Sequence, residues 1–234
     1  MTIGASRDSP PAGSVVFCDF DATITERDTL QAVCHAFIPE IAARVLPAIG
    51  RREVSLRAGV SELIRNLPAA AADEIRGFVC REPLRKGFEK FAQQLKAWDV
   101  PLVVLSGGMR FCVEARLQPW RQLIEDVHAL DIDFSGSFMR AQIHYGPGNE
   151  TVPKAAIMLA YRAGYSIAIG DSVSDHSMAL EADRVFARGR LLTFMREQGR
   201  AVEAFRNFDD ILDVLRSEVA SDRGGFPGAA DFGQ

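Results

Sequence analysis

Residues 14–23 read SVVFCDFDAT, and this stretch decides the fold class. Its first five residues form a short apolar run, which is typical of a strand buried on both faces, as in a parallel sheet. The run stops at Asp19, and a second carboxylate, Asp21, follows two residues later. Paired carboxylates just beyond a buried strand suit a nucleophile and a general acid/base, although the motif alone also fits a solvated acidic turn.

Two later apolar runs also end in polar residues. Residues 101–105 (PLVVL) precede the turn Ser106-Gly107-Gly108, and residues 166–169 (SIAI) precede Gly170-Asp171. Helical patterns separate the three runs, and this alternation predicts an α/β fold with a mostly parallel sheet. The polar residues that follow the strands are then expected at one edge of the sheet, where the sites of such folds lie.

Residues 30–82 differ in character from the rest of the chain. Apolar residues recur there at helical spacing among three prolines, so we predict three or four short helices and no strand. Because this block lies between two strand signals, we interpret it as an inserted helical domain. Elsewhere we predict helices over 83–99, 109–117, 153–163, 175–182 and 209–219, a hairpin over 126–145 turning at Gly136 and Gly146, a strand over 184–187, and loose termini at 1–13 and 221–234.

A lysine and two further carboxylates complete the set of candidate site residues. Lys154 lies at the start of a predicted helix, where a solvated lysine is the alternative. Residues 170–175 (GDSVSD) contribute Asp171 and Asp175, of which Asp175 also suits a helix N-cap. Carboxylates that repel one another call for a cation, and oxygen ligands favour Mg²⁺ over Zn²⁺. With an amine and a glycine turn that can cradle an anion, the predicted occupant is a phosphate.

These motifs, in this order, resemble those of the haloacid dehalogenase (HAD) superfamily of phosphohydrolases. The resemblance extends from residue 15 to about residue 190 and implies a Rossmann-like core whose mostly parallel sheet is flanked by helices. It also implies a small all-helical cap at 30–82, as in the phosphoserine-phosphatase-like subgroup, with the core formed by 14–29 and 83–220. Within that subgroup, the motif segments are most similar to the methionine-salvage phosphatases.

The resemblance assigns a role to each motif residue. Asp19 would be the nucleophile, Asp21 the general acid/base, and Lys154 the cation that balances charge at the phosphate. Mg²⁺ would bind to Asp19, Asp171 and the main-chain carbonyl of Asp21. The residues expected to bind phosphate are Thr23, Ser106, Gly107 and Gly108. Those expected to support the site or contact the substrate are Asp28, Arg110, Ser172 and Asp175.

The expected function is a Mg²⁺-dependent phosphomonoester hydrolase that acts on a small phosphorylated metabolite through an aspartyl-phosphate intermediate. A phosphoserine phosphatase-like activity and a phosphotransferase or phosphomutase on the same core stay open. A non-catalytic phosphate-binding protein would be expected to lack part of the motif set, yet Asp19, Asp21, Lys154 and Asp171 are all present.

Composition excludes several other classes of protein. With 47% hydrophobic and 25% charged residues among 234, the chain is globular rather than disordered. A general nucleic-acid binder is not expected, because 31 acidic residues outnumber 27 basic ones. Four scattered cysteines without zinc spacing predict reduced thiols and a cytoplasmic location. No apolar run is long enough for a membrane span, and a homodimer stays open.

Overall fold

The computed structural model describes residues 10–144 and 148–221. The strands are β1 (Ser14–Asp19), β2 (Leu102–Met109), β3 (Asp126–Asp133), β4 (Arg140–Gln142), β5 (Tyr165–Gly170), β6 (Arg184–Ala187) and β7 (Glu203–Ala204). The α-helices are α1 (Thr29–Phe37), α2 (Pro39–Gly50), α3 (Leu56–Ile64), α4 (Ala72–Cys80), α5 (Phe88–Ala97), α6 (Arg110–Leu117), α7 (Lys154–Ala160), α8 (His176–Glu181), α9 (Gly189–Glu197) and α10 (Phe208–Ser221).

One seven-stranded sheet organises the described chain, in the order β4-β3-β2-β1-β5-β6-β7. All neighbouring strands run parallel except the β3–β4 pair, which is antiparallel. The predicted α/β fold with a mostly parallel sheet is therefore confirmed. The crossovers place the carboxyl ends of β1, β2 and β5 side by side, so that the residues following them meet at one edge.

The central strand β1 shows why its sequence is an unbroken apolar run. Val16 and Cys18 pack in one apolar cluster with α5 and α10, while Val15 and Phe17 pack in another with α7, α8 and α9. Alternate side chains of a strand point to opposite faces of the sheet, so helices on both faces require apolar residues throughout.

Helices α1–α4 share a third apolar cluster, which includes Val33, Val45 and Leu63. The cluster also takes in Cys112 of α6 and Leu130 of β3, so these helices pack on one end of the sheet layer. The four helices agree with the pattern expected for residues 30–82, and the division into core and cap stays a prediction. No helix in the described ranges combines the length and apolar character that a membrane span needs.

Two predicted elements differ from those observed, and two observed elements were not predicted. The helix expected over 83–99 begins at Phe88, because Gly87 has φ of +84°, which ends the extended connection before it. The second strand does not stop before Ser106 but continues to Met109, with a break in pairing register after Leu105. Helix α9 and strand β7 were not predicted. The hairpin over 126–145 is present as β3–β4, and Gly146 lies outside the described residues.

Candidate active site

Asp19 lies at the carboxyl end of β1 and is almost fully buried. The Nζ atom of Lys154, which begins α7, is 2.5 Å from Asp19 Oδ1 and 2.6 Å from Asp175 Oδ1. Burial, reinforced by the charge of Asp175, raises the pKa of Asp19 well above its ordinary value. Although burial opposes its charge, the carboxylates of Asp175 and Asp19 hold the pKa of Lys154 above its usual range. The raised pKa of Asp19 therefore results first from burial, and that of Lys154 from the two carboxylates beside it.

Asp21 lies in a short turn, Phe20–Ile24, that leads the chain away from β1. Its Oδ1 accepts hydrogen bonds from the backbone N–H and the hydroxyl of Thr29, at 2.8 and 2.6 Å. Its Oδ2 is 3.2 Å from the hydroxyl of Ser106 on β2. The first turn of α1 and the end of β2 therefore fix the direction of the Asp21 carboxylate.

Asp171 and Asp175 follow the end of β5 and differ in their bonding. Asp175 is buried and fully bonded, since its Oδ1 pairs with Lys154 and its Oδ2 accepts the backbone N–H groups of Asp171 and Ser172, each at 3.0 Å. Asp171 is half-buried, with the hydroxyl of Thr23 3.5 Å from Oδ1. Burial and the charge of Asp175 raise the pKa of Asp171 to about 7.

The acidic residues of this edge fit a divalent cation. One oxygen from each of Asp19, Asp171 and Asp175 lies within 4.8 Å of the others. Asp19 Oδ2 is buried and has no hydrogen-bond partner within the described ranges, which is costly unless a ligand satisfies it. Carboxylate oxygens are the donors that hard cations prefer. Because both oxygens of Asp175 are already bonded, Asp19 and Asp171 are the better placed ligands.

The predicted glycine turn lies directly against Asp21. The backbone N–H of Gly108 donates to the hydroxyl of Ser106 at 3.0 Å. A Cβ atom at Gly108 would lie 2.9 Å from Asp21 Oδ2, and one at Gly107 would lie 3.2 Å from the hydroxyl of Thr151. The two glycines therefore permit a close approach of the β2 backbone to the carboxylate side of the site.

Arg110, expected beside the substrate because it follows the glycine turn, is bonded to β3, and a substrate contact stays a prediction. Its Nε is 2.6 Å from Asp131 Oδ1, and Nη1 and Nη2 donate to the carbonyls of Val127 and Ala129 at 2.5 and 3.1 Å. All three guanidinium nitrogens thus engage β3. The side chain joins the start of α6 to that strand, which is a structural role.

Ser172 and Asp28 both cap local structure. The Ser172 hydroxyl is 3.0 Å from that of Ser174, within a capping box that Ser172 forms with Asp175. Asp28 is the N-cap of α1, with the backbone N–H of Gln31 2.8 Å from Oδ1 and the Gln31 side chain 2.6 Å from Oδ2. Burial and the charge of Asp21 raise the pKa of Asp28 to about 7.

In metal-free protein, Asp28→Asn is expected to stabilise the fold more at about pH 8 than at about pH 5. The pKa of Asp28 is about 7 in the folded protein and about 4 in the unfolded chain. Its contribution to stability is therefore complete below about pH 4, and it is lost as the pH rises through about 7. Asparagine stays neutral and still caps α1. Melting temperatures measured against pH in EDTA check this, and a difference from wild type that is constant with pH would contradict it.

Asp183→Asn provides a control of opposite sign. Hydrogen bonds from the Ser166 hydroxyl and backbone N–H, each at 2.7 Å, lower the pKa of Asp183. Asp183 stabilises the fold above the pKa that it has in the unfolded chain. This stabilisation is lost as the pH falls through its lower pKa in the folded protein. This variant is therefore expected to be less stable than wild type at neutral pH.

The motifs did not reveal two contributors to the site, Thr29 and Arg85. Thr29 holds Asp21, but a threonine eight residues after a carboxylate carries no sequence signal. Arg85 is buried and donates to the carbonyls of Ala22, Thr23 and Thr25 in the turn that carries Asp21. The sequence also gives no sign that an arginine is buried, because most charged residues are solvated.

The chain belongs to the haloacid dehalogenase-like hydrolase family, whose model matches residues 16–180. This finding confirms the resemblance inferred from the motifs. Together with relatives named as phosphatases, it makes the chain a phosphatase of that family. A relative from Microcystis aeruginosa, named 2-hydroxy-3-keto-5-methylthiopentenyl-1-phosphate phosphatase, is 32% identical over 203 residues, which are 86% of this chain and 97% of the relative.

Solved structures show the same fold at low sequence identity. A phosphoserine phosphohydrolase-like protein from Francisella tularensis matches with a TM-score of 0.70 and 17% identity, over 86% of this chain and 99% of that one. A phosphoserine phosphatase described as a phospho-aspartyl intermediate analogue matches with a TM-score of 0.66 and 15% identity, over 86% and 98%.

Proposed function

We propose that the chain is a Mg²⁺-dependent phosphomonoester hydrolase that acts on a small phosphorylated metabolite through an aspartyl-phosphate on Asp19. The observation that carries this proposal is the buried Asp19 carboxylate, whose Oδ1 is 2.5 Å from Lys154 Nζ and whose Oδ2 has no hydrogen bond from the described residues. A carboxylate oxygen that is free of hydrogen bonds and adjacent to a cation is suited to attack phosphorus.

The two half-reactions follow from the positions of Asp19 and Asp21. An oxygen of Asp19 forms a bond to phosphorus, and the ester P–O bond breaks while Asp21 donates a proton to the departing oxygen. Water then attacks the phosphorus of the aspartyl-phosphate, Asp21 accepts its proton, and the bond to Asp19 breaks. Thr29 and Ser106 hold Asp21 in place through both steps.

Positive charge is the second requirement of the reaction, because an anionic carboxylate must approach an anionic phosphate. Lys154 supplies a fixed, buried ammonium beside the nucleophile. When bound, Mg²⁺ would be held by Asp19, Asp171 and the main-chain carbonyl of Asp21, and it supplies charge that offsets the same repulsion. The hydroxyls of Thr23 and Ser106 and the turn at Gly107 and Gly108 are the proposed phosphate contacts.

For the substrate, we propose 2-hydroxy-3-keto-5-methylthiopentenyl-1-phosphate, the compound in the name of the Microcystis relative. The support for this choice is the 32% identity of that relative over 86% of this chain. A cleft of about 460 Å³ lies between α1, α2 and the start of α9. Leu46 and Pro47 give it an apolar wall suited to a methylthio group, while Gln31, His35 and Arg190 give it a polar side. The cleft lies between the proposed cap, residues 30–82, and the core.

A phosphoserine-like substrate is less well supported, because Asp28 would be the residue to meet an amino group. Both of its oxygens are bonded to Gln31, at 2.8 and 2.6 Å. Transfer to a second hydroxyl rather than to water remains the rival reaction on the same core. Accumulation of a phosphorylated acceptor alcohol would identify that reaction directly.

Phosphate release from a panel of phosphomonoesters tests the proposal. The panel includes the methylthiopentenyl phosphate, phosphoserine and sugar phosphates, each with Mg²⁺ and with EDTA. We expect release that requires Mg²⁺ and a clear preference for the methylthiopentenyl ester. Equal release in EDTA would contradict the metal assignment, and a preference for phosphoserine would contradict the substrate assignment.

The proposed setting is the cytoplasm, with a small phosphorylated metabolite as the binding partner. The four cysteines are all free thiols, and only Cys80 is exposed. Buried, unpaired thiols are typical of proteins in a reducing compartment.

A further inference from the structure

Arg85 is 4% exposed, and its guanidinium is hydrogen-bonded to the turn that carries Asp21. Nη2 donates to the carbonyls of Ala22 and Thr25 at 2.7 and 3.0 Å, and Nε donates to the carbonyl of Thr23 at 2.8 Å. Nη1 is 2.8 Å from Glu26 Oε2. One planar cation thus satisfies three backbone acceptors, two in the turn and one at its end.

The turn needs such a partner because it is not regular helix. Ala22 has φ of +58°, a conformation that costs energy for a residue with a side chain. The Ala22 carbonyl receives a second cation, since Arg188 Nη1 donates to it at 3.1 Å. Two guanidinium groups converging on one carbonyl hold the turn in a conformation that its own sequence does not favour.

Arg85 also lies on the chain that returns from α4 to the sheet. Its backbone N–H donates to the carbonyl of Ile24 at 2.7 Å, and the N–H of Glu26 donates to the carbonyl of Pro83 at 2.9 Å. Arg27 and Glu82 pair across the same two segments at 2.7 Å. The outgoing and returning connections of helices α1–α4 therefore run side by side.

We propose that Arg85 is a positioning residue for the phosphatase reaction, which fixes the turn holding Asp21 and joins it to the connection returning from α4. The inference rests on the proposed function, because Asp21 must be the acid/base for its position to affect turnover. Lysine cannot take this role, because a single ammonium lacks the planar set of donors that reaches three carbonyls at once.

Arg116 offers a matched control for Arg85. Unlike Arg85 it is half-buried, but it likewise donates to a backbone carbonyl at the returning connection, that of Glu82, at 2.8 Å. Its guanidinium lies 5.4 Å from the ring of Trp120, and among the described residues it has no hydrogen bond to the turn that carries Asp21. Loss of either arginine should lower stability, but only Arg85 should affect the chemical step.

The experiment compares Arg85→Ala, Arg85→Lys and Arg116→Ala with wild type in steady-state kinetics and thermal denaturation. We expect kcat of both Arg85 variants to fall about 100-fold with little change in KM, and kcat of Arg116→Ala to stay near wild type. Added guanidinium ion at millimolar concentration should restore part of the kcat of Arg85→Ala and leave Arg116→Ala unchanged.

Three results would overturn the inference while leaving the proposed function intact. These are a loss of kcat shared by Arg116→Ala, a loss explained by the unfolded fraction of Arg85→Ala, or no recovery with guanidinium. A wild-type protein that releases no phosphate from any ester would overturn the proposed function and, with it, this inference.

Discussion

Asp19→Asn is expected to lower kcat for phosphate release by about 10⁴-fold or more, the scale seen when a catalytic nucleophile is removed. The carboxamide has the size of the carboxylate but cannot form an acyl phosphate bond under these conditions. The measurement is phosphate release with Mg²⁺ under saturating substrate. Retention of more than about 1% of wild-type kcat would exclude Asp19 as the nucleophile.

The same variant is expected to keep its fold. Lys154 still has the carboxylate of Asp175 at 2.6 Å, so the buried ammonium remains paired. Burial and the charge of Asp175 raise the pKa of Asp19, so the ionised form of Asp19 is unfavourable in the folded protein. A neutral carboxamide at this position relieves that unfavourable charge. In metal-free protein the melting temperature should therefore equal or exceed that of wild type. A marked drop in melting temperature would show that lost activity reflects unfolding rather than chemistry.

The sequence predicted those parts of the molecule that depend on local patterns. An unbroken apolar run followed by Asp19 required a buried parallel strand, and the same pattern at Ser106 and Asp171 brought three strand ends together. The proximity of Lys154 to Asp19 followed only from the family resemblance, since 135 positions separate the two residues. Residues close together in the sequence could be placed from local patterns. Partners far apart in the sequence could be placed only from the family resemblance, which rests on the order of the motifs.

What the sequence did not reveal depends on contacts between distant segments. Arg85 gains its role from carbonyls about 60 positions earlier, and no periodic pattern reports such a contact. The bonds from the Arg110 guanidinium to β3 also join separate segments, and the sequence did not predict them. The start of α5 was misplaced because the left-handed conformation of Gly87 delays the helix.

Lys154→Met is expected to abolish activity and to destabilise the protein as well. The ammonium is buried between Asp19 and Asp175, at 2.5 and 2.6 Å, and methionine leaves both carboxylates without a counter-charge. Removing one partner of a buried ion pair costs about 3–5 kcal/mol. For a chain of this size, that corresponds to a fall in melting temperature of about 6–20 °C.

The pH dependence distinguishes this cause from simple loss of packing. Loss of Lys154 removes a charge that lowers the pKa of Asp19, so this pKa rises further in the folded state. The unfavourable charge of Asp19 therefore develops as pH rises and disappears when the group is protonated. The deficit in melting temperature should therefore shrink toward acidic pH. Lys90→Met is the control, because Lys90 is exposed and lies 3.8 Å from Asp209, so no measurable change is expected. A deficit for Lys154→Met that is equal at all pH values would mean that packing of the lysine chain, rather than its charge, stabilises the site.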